Sequence, residues 1–175
     1  MESQKFLYQD KSGIFNSYIA IMKTNNNFKF YFILIFLGLA IFLFFWQRYY
    51  WTETIVSLKD QKLEVLIADS IYRQQKGLGG RDSINPYDGM IFPFSFPSKH
   101  SFVMRDMSFP IDIVWFYKGE VVDIAPNVPI EPNKEEYEYK KYTPRVDSDL
   151  VLELPSGWVK EHNLKIGDKM LLVED

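Results

Sequence analysis

The chain has 175 residues, with 20 Lys/Arg against 23 Asp/Glu, a net charge of −3 and no cysteine. Without cysteine, disulfides, thiolate nucleophiles, zinc–thiolate sites and cysteine lipidation are excluded together. The charge is uneven: the first 51 residues hold 5 Lys/Arg and 2 Asp/Glu, net +3, and the remaining 124 hold 15 and 21, net −6. An acidic body without a basic stripe argues against nucleic acid as a partner.

Residues 1–29 form a polar tail. Within it Ile14, Phe15, Tyr18, Ile19 and Met22 recur at helical spacing, so residues 12–23 read either as a short amphipathic helix lying on a membrane face or as an irregular tail with a few apolar residues. Asn25-Asn26-Asn27 is expected to break that pattern. From Phe30 to Trp46 there follow seventeen residues without a single charge. A helix of that length spans about 26 Å, close to the ~30 Å hydrocarbon core of a bilayer. Tyr31, Trp46, Tyr49, Tyr50 and Trp51 stand where an aromatic belt would sit. Bulky residues at the exit, Trp46-Gln47-Arg48-Tyr49-Tyr50, disagree with a cleaved signal, so residues 30–50 read as an uncleaved transmembrane anchor. Three Lys/Arg flank it within about 20 residues on each side, a tie under the positive-inside rule.

Residues 51–175 suffice for one domain with its own core. Short strand signals separated by Gly, Pro, Asn and Asp fall at 54–58, 62–68, 90–92, 101–105, 111–116, 121–125, 150–154 and 169–173. Many short strands with turns between them predict a mainly β fold, a single compact jelly-roll-like sandwich or barrel with one or two short helices. The clearest hairpin joins Ile111–Phe116 to Val121–Ala125 through Tyr117-Lys118-Gly119-Glu120. Phe92, Phe102, Ile113, Trp115, Leu152 and Trp158 are expected to meet in the core. One helix is predicted over 70–76 with Asp69 as N-cap and Gly77 as terminator, another over 156–162 with Asn163 in the left-handed position after it. The charged, tyrosine-rich stretch Glu131–Arg145 has no apolar periodicity and reads as a surface loop.

His100 and His162 are 62 residues apart, with no second His or carboxylate at ligand spacing, so neither a metal nor any other cofactor is expected. No serine sits in a Gly-x-Ser-x-Gly turn, and Leu78-Gly79-Gly80 lacks the pattern of a phosphate loop. What remains is a polar knot in apolar sequence, Met104-Arg105-Asp106-Met107 with Phe109-Pro110-Ile111-Asp112, near Arg81-Asp82. Charges embedded there must find partners or lose several kcal/mol. One reading is a buried Arg–Asp pair fixing strand register. The other is a binding concavity formed by Arg81, Met104, Arg105, Asp106 and Asp112, with Arg105 facing an anionic group and Asp106 or Asp112 orienting it.

Blocks spread over residues 63–173 carry a resemblance: Ala68-Asp69, Lys76-Gly77-Leu78 with Gly80-Arg81, Gly89-Met90-Ile91-Phe92-Pro93-Phe94, Met104-Arg105-Asp106, Pro110-Ile111-Asp112-Ile113 with Phe116, Leu152-Glu153-Leu154 with Gly157-Trp158, and Ile166-Gly167-Asp168. In that order they resemble the bacterial and archaeal family known as domain of unknown function 192. The family pattern at the polar knot resembles Phe-Trp-Met-Lys-Asn-Thr, where this chain has Phe102-Val103-Met104-Arg105-Asp106-Met107; positive charge survives at Arg105, while a donating amide has become the carboxylate of Asp106. Cysteines that many relatives carry before the late strand are missing. The resemblance implies a compact jelly-roll-type β domain, commonly behind an export signal or anchor, with no established activity. With the short tail, that habit of export places the β domain outside the cytoplasm. The expected function is a membrane-anchored binding or assembly module for envelope components rather than an enzyme. Tyr137, Tyr139 and Tyr142 would suit an envelope protein or glycan partner. The alternative is an envelope hydrolase or transferase using carboxylates near Asp106 and Asp112.

Overall fold

A computed structural model of the chain describes residues 11–173, and the chain divides into two compact units, Met1–Tyr50 and Trp51–Asp175. In the first unit, helix α1 runs without interruption from Lys11 to Tyr49. The expected separate helix over 12–23 is therefore the first part of α1, and Asn25-Asn26-Asn27 does not break it; asparagine lowers helix propensity by well under ~1 kcal/mol, too little to stop a helix that continues into an apolar run. Within α1, Asn27–Trp46 is long and apolar enough to cross a membrane. Its side chains from Phe28 to Trp46 are all exposed. Trp46 stacks on Tyr50 at 5.6 Å between ring centroids and lies 5.7 Å from Phe42.

The second unit is mainly β. Strands β1 (Thr52–Leu58), β2 (Gln61–Ile67), β3 (Gly89–Ser98), β4 (Ile111–Tyr117), β5 (Glu120–Val128), β6 (Ser148–Pro155) and β7 (Met170–Leu172) form a single sheet in the order β5-β4-β6-β3-β2-β1-β7. Among the described residues only β2 and β3 pair in parallel, and the crossover between them carries α2 (Ile71–Lys76). The β4–β5 hairpin forms as the sequence predicts. Its turn places Lys118 and Gly119 at φ +52° and +77°, both left-handed, the geometry of a two-residue turn that matches strand twist.

The sheet curls until its two edges meet. Glu120 bridges Lys169, the Val121 N–H donates to the Asp168 carbonyl (2.8 Å), and the Met170 N–H donates to the Gly119 carbonyl (2.9 Å). Curling gives the domain two apolar layers rather than one. The inner layer draws on every strand, with Val56, Leu58, Val65, Ile91, Val114, Phe116, Val121, Leu152 and Met170 among its members. The outer layer holds Leu66, Met90, Phe92, Ile111, Ile113, Trp115 and Val151, covered by Leu78, Ile84 and Met104 from connecting segments. The six residues expected in one core thus divide: Phe92, Ile113 and Trp115 lie in the outer layer with Phe102 packed against it, and Leu152 lies in the inner layer with Trp158 beside it. Alternation along a strand sends neighbours to opposite faces, and both faces here are covered.

Two further expectations change. Residues 101–105 are not a strand: Phe102 alone makes a bridge, to Tyr142, and the segment 99–110 is a loop laid over the outer layer with Met104 buried beneath it. Glu131–Arg145 is irregular as expected, with one 3-10 turn at Glu136–Glu138, but it is not wholly a surface feature. Glu131 is buried and accepts from Lys134 Nζ (2.5 Å) and the Lys140 N–H (3.1 Å). Helix α2 is capped by Ser70, whose Oγ accepts from the Arg73 N–H (3.4 Å); Asp69 pairs with the Arg73 side chain instead. Helix α3 is the short turn Trp158–Glu161, with Asn163 left-handed at φ +51° as predicted.

Trp115 is 2% exposed and its indole N–H donates to the His100 carbonyl at 2.8 Å, so it fills the outer layer and pins the 99–110 loop together. Truncating a buried aromatic typically costs about 3–5 kcal/mol out of a domain total of ~5–15. Trp115→Ala is expected to lower the melting temperature by well over 10 °C or abolish the cooperative transition. A melt like that of the wild type would show that the outer layer does not depend on this ring.

Candidate functional site

A cleft of about 370 Å³ opens on the outer side of the sheet. Three elements build it. Helix α2 and the turn after it contribute Gln74, Gln75, Lys76 and Gly77–Gly79; β3 contributes Phe92 and Phe94; the 99–110 loop contributes His100, Phe102, Val103, Arg105 and Met107. Glu153 of β6 also lines it.

The space exists because β3 leaves its partner. Pairing with β6 is regular from Met90 to Pro93 and resumes only at Ser98, with a register shift between. Pro93 has no N–H to continue the ladder, and its carbonyl is taken by Gln74 Nε2 at 2.8 Å, which ties α2 to β3. Gly79 closes the wall on the other side. A Cβ there would stand 2.8 Å from the Arg105 carbonyl oxygen, so only glycine lets this turn approach the loop backbone, and the Gly80 N–H then reaches the Asp106 carbonyl at 2.7 Å. Rings fill the far wall: Phe92 and Phe102 meet edge to face at 4.9 Å, Phe102 meets Trp115 at 6.4 Å, and Phe94 stacks on His100 at 3.5 Å.

Glu153 is the chemically unusual member. Alternation along β6 puts Leu152 and Leu154 into the inner layer and Val151 and Glu153 on the outer side. Its neighbours across the strands are Met90 and Ile113, both fully buried and apolar. Glu153 itself is 5% exposed, and among the described residues its Oε2 is the buried side-chain atom without a hydrogen-bond partner. Burial pushes its carboxyl up to about 8, because an isolated charge in an apolar layer loses its hydration. At neutral pH the group is mostly the neutral acid.

Arg105 stands at the rim. Its Nε donates to Glu136 Oε2 at 2.6 Å, and a second guanidinium nitrogen pairs with the other carboxylate oxygen. The Glu136 hydrogen bond raises the Arg105 pKa further. Both side chains are substantially exposed, 39% and 66%, so the pair is worth at most about 1 kcal/mol. The expected partner was an aspartate inside the knot; the actual one comes from the 131–145 segment. That segment is bound to the loop elsewhere as well, by Phe102 and Tyr142 exchanging backbone hydrogen bonds of 2.9 and 2.8 Å and by Ser101 Oγ and Thr143 Oγ1 at 2.7 Å.

Of the five residues expected to form one concavity, Arg105 lines the cleft and the others lie elsewhere. Arg81 stands over the Trp51 ring at 5.2 Å. Met104 is buried in the outer layer. Asp106 is exposed, in the left-handed region at φ +55°. Asp112 is on the inner side, in register with Leu154, where it accepts from the backbone N–H groups of Asn127 (2.7 Å), Gly157 (3.1 Å) and Val159 (2.8 Å). It is a clip for three loop ends. Asp106 and Asp112 therefore do not flank a common cleft. His162 stacks on Trp158 at 4.1 Å and its Nδ1 lies 2.9 Å from the Trp158 carbonyl. Among the described residues no group of three His, Asp or Glu is placed to hold a metal ion. Sequence reasoning did not single out Glu153; the signal was present as one acid inside Leu150-Val151-Leu152-Glu153-Leu154.

The family model DUF192, described as "Uncharacterized ACR, COG1430", matches residues 54–172. Among solved structures, the chain is similar to a protein of unknown function from Novosphingobium aromaticivorans DSM 12444, at 25% identity over 69% of this chain and 84% of that one, with a TM-score of 0.58. It is also similar in fold to a Sinorhizobium meliloti 1021 protein put forward as a transcription regulator, at 23% identity over 70% of this chain and 95% of that one, with a TM-score of 0.62. No curated protein sequence matches.

The raised Glu153 pKa fixes a pH dependence. Below about pH 4.5 the group is protonated in both folded and unfolded chains. Between about 4.5 and 8 the unfolded chain ionises while the folded one keeps its proton, so the folded state binds more protons and its stability falls as pH rises, levelling off above about 8. At pH 7 the loss is on the order of 3 kcal/mol, at ~1.4 kcal/mol per unit. Replacing Glu153 with Gln should flatten the stability profile between pH 5 and 8, measured by urea unfolding at each pH. An unchanged slope would mean that Glu153 ionises normally in the folded domain.

Proposed function

The chain belongs to the DUF192 family, and we propose that it is a membrane-tethered binding domain that holds a small ligand in the cleft between α2, β3 and the 99–110 loop. The observation that carries this reading is Glu153. A buried polar atom without a partner is rare in folded proteins, and one that lines a concavity with aromatic walls is a marker of a binding site. The fold gains nothing from an acid at that position, since its cross-strand neighbours are apolar. Hydrolytic or transfer chemistry by a carboxylate pair finds less support, because Glu153 is the one carboxyl lining the cleft among the described residues and such mechanisms use two acids facing one substrate.

Tethering strengthens the case for a modest site. A domain confined near a bilayer meets membrane-associated or envelope ligands at raised effective concentration, so weak intrinsic affinity suffices. The anchor in this reading is the Asn27–Trp46 stretch of α1, and the β domain lies outside the cytoplasm, as the habit of export implied by the family resemblance suggests. Protease added to intact spheroplasts is expected to digest the β domain. Full protection until lysis would reverse the orientation.

The cleft is tested with the full chain in detergent micelles. Gln75 is exposed on the rim, so Gln75→Trp should fill the mouth without disturbing either apolar layer. Small molecules that raise the melting temperature of the wild type by several degrees should have no effect on this variant. Equal shifts in both proteins would place the binding elsewhere, and a library that shifts neither would leave the cleft reading without its ligand and count against it.

A further inference from the structure

We infer that the ligand of this cleft is a small organic primary ammonium ion, held at depth by the Glu153 carboxylate and flanked by the rings of Phe92, Phe94 and Phe102. The inference rests on the cleft being the binding site proposed above and names the chemistry that site selects.

The domain supplies its other buried acids with donors of its own. Asp112 receives three backbone N–H donors. Asp123 receives the Arg145 guanidinium (2.7 Å) and the Arg145 and Ile124 N–H groups (2.7 and 3.0 Å). Glu131 receives Lys134, the Lys140 N–H and the Tyr142 hydroxyl. Each buried carboxylate has donors supplied by its own chain. Among the described residues Glu153 Oε2 has none, and Glu153 lines the cleft; Glu131 also borders a hollow, but with its donors in place. The donors that would complete Glu153 must come from outside.

An ammonium group supplies them together with a countercharge. Moving a proton off a buried acid is costly only while the resulting charge stays alone; an ammonium at hydrogen-bond distance makes a charge-assisted pair in surroundings of low dielectric constant, where such pairs are strong. The rest of the wall suits the same guest. Aromatic rings carry negative faces that attract cations, and their apolar area accommodates an alkyl or aryl body. A volume of about 370 Å³ lies within the range of small-molecule sites. The cations on the lining do not oppose the guest at depth: Arg105 is neutralised by Glu136, and Lys76 is exposed on α2. A ligand held instead by a neutral Glu153 acid donating to its oxygen is the competing chemistry, and it has the opposite pH dependence.

The test compares probes of similar shape and different charge on the full chain in detergent, by isothermal titration: butylammonium against 1-butanol, and benzylammonium against benzyl alcohol. Each ammonium is expected to bind at least tenfold more tightly than its alcohol. Its affinity should rise nearly tenfold per pH unit from 6 towards 8, as the pair draws the proton off Glu153, and then level. The other ionisable groups facing the cleft are His100, Lys76 and Arg105, so the same titration is run on Glu153→Gln, checked for a cooperative melt. That variant should lose at least tenfold in ammonium affinity together with the pH slope. Alcohols binding as well as ammonium ions, or affinity falling as pH rises, would overturn the ammonium assignment and leave the cleft as a site for neutral ligands. Failure of every probe to bind, with Gln75→Trp also without effect on any ligand, would remove both the assignment and the binding site beneath it.

Discussion

Strands β4 and β6 have to satisfy two apolar layers at once, because the sheet curls round one layer and is roofed by a second. Ile113 and Trp115 face outward while Val114 and Phe116 face inward; Val151 faces outward while Leu152 and Leu154 face inward. A strand covered on both sides loses the polar alternation that marks a solvated face, and every polar residue left in it becomes a local problem of burial. Two buried acids stand in these strands, Asp112 and Glu153. The domain answers them in opposite ways.

Asp112 is answered by backbone. It sits where β5 ends and α3 begins, and its two oxygens collect N–H groups from Asn127, Gly157 and Val159. Segments that are far apart in sequence are thereby fixed at one end of the sheet, with donors that cannot rotate away. On the outer side the roof is held differently. The 99–110 loop is pinned by the Trp115 indole to the His100 carbonyl, by the Phe102–Tyr142 bridge and by Gly80 to the Asp106 carbonyl. None of these ties uses Glu153. The cleft is the gap left where β3 departs from β6 and the roof does not follow.

How much of this was legible in the sequence depended on whether period or environment was being asked for. The apolar run of the anchor and the Ile111–Phe116 hairpin announced themselves, one by length without charge and the other by a Lys-Gly turn between two apolar segments. The misreadings share a cause. Phe102 and Met104 alternate like strand residues, yet they are the buried points of a loop pressed on a covered face, and period 2 does not distinguish the two. Asp112 looked like a functional acid because it stands among apolar residues; it is a structural clip. Glu153 did not stand out, since alternation tells which side a residue points to and not whether another layer covers that side. Arg105 was found because a cation in apolar sequence needs a partner, but that partner, Glu136, lies 31 residues on, in a segment with no periodicity to place it.

The cost carried by Glu153 is what separates a site from a structural acid. A buried group that the fold requires is surrounded by the donors that make its burial tolerable, as Asp112, Asp123 and Glu131 are, and removing it leaves those donors orphaned. Glu153 has no donors to orphan at Oε2; its apolar neighbours would pack equally well against a side chain of similar volume without charge. A penalty on the order of 3 kcal/mol is a large share of the ~5–15 kcal/mol that a domain commands. It is sustained here because closure of the sheet, the two apolar layers and the pinned roof are all built from other residues. The fold therefore tolerates the acid without depending on it, which is the condition the proposed binding role requires.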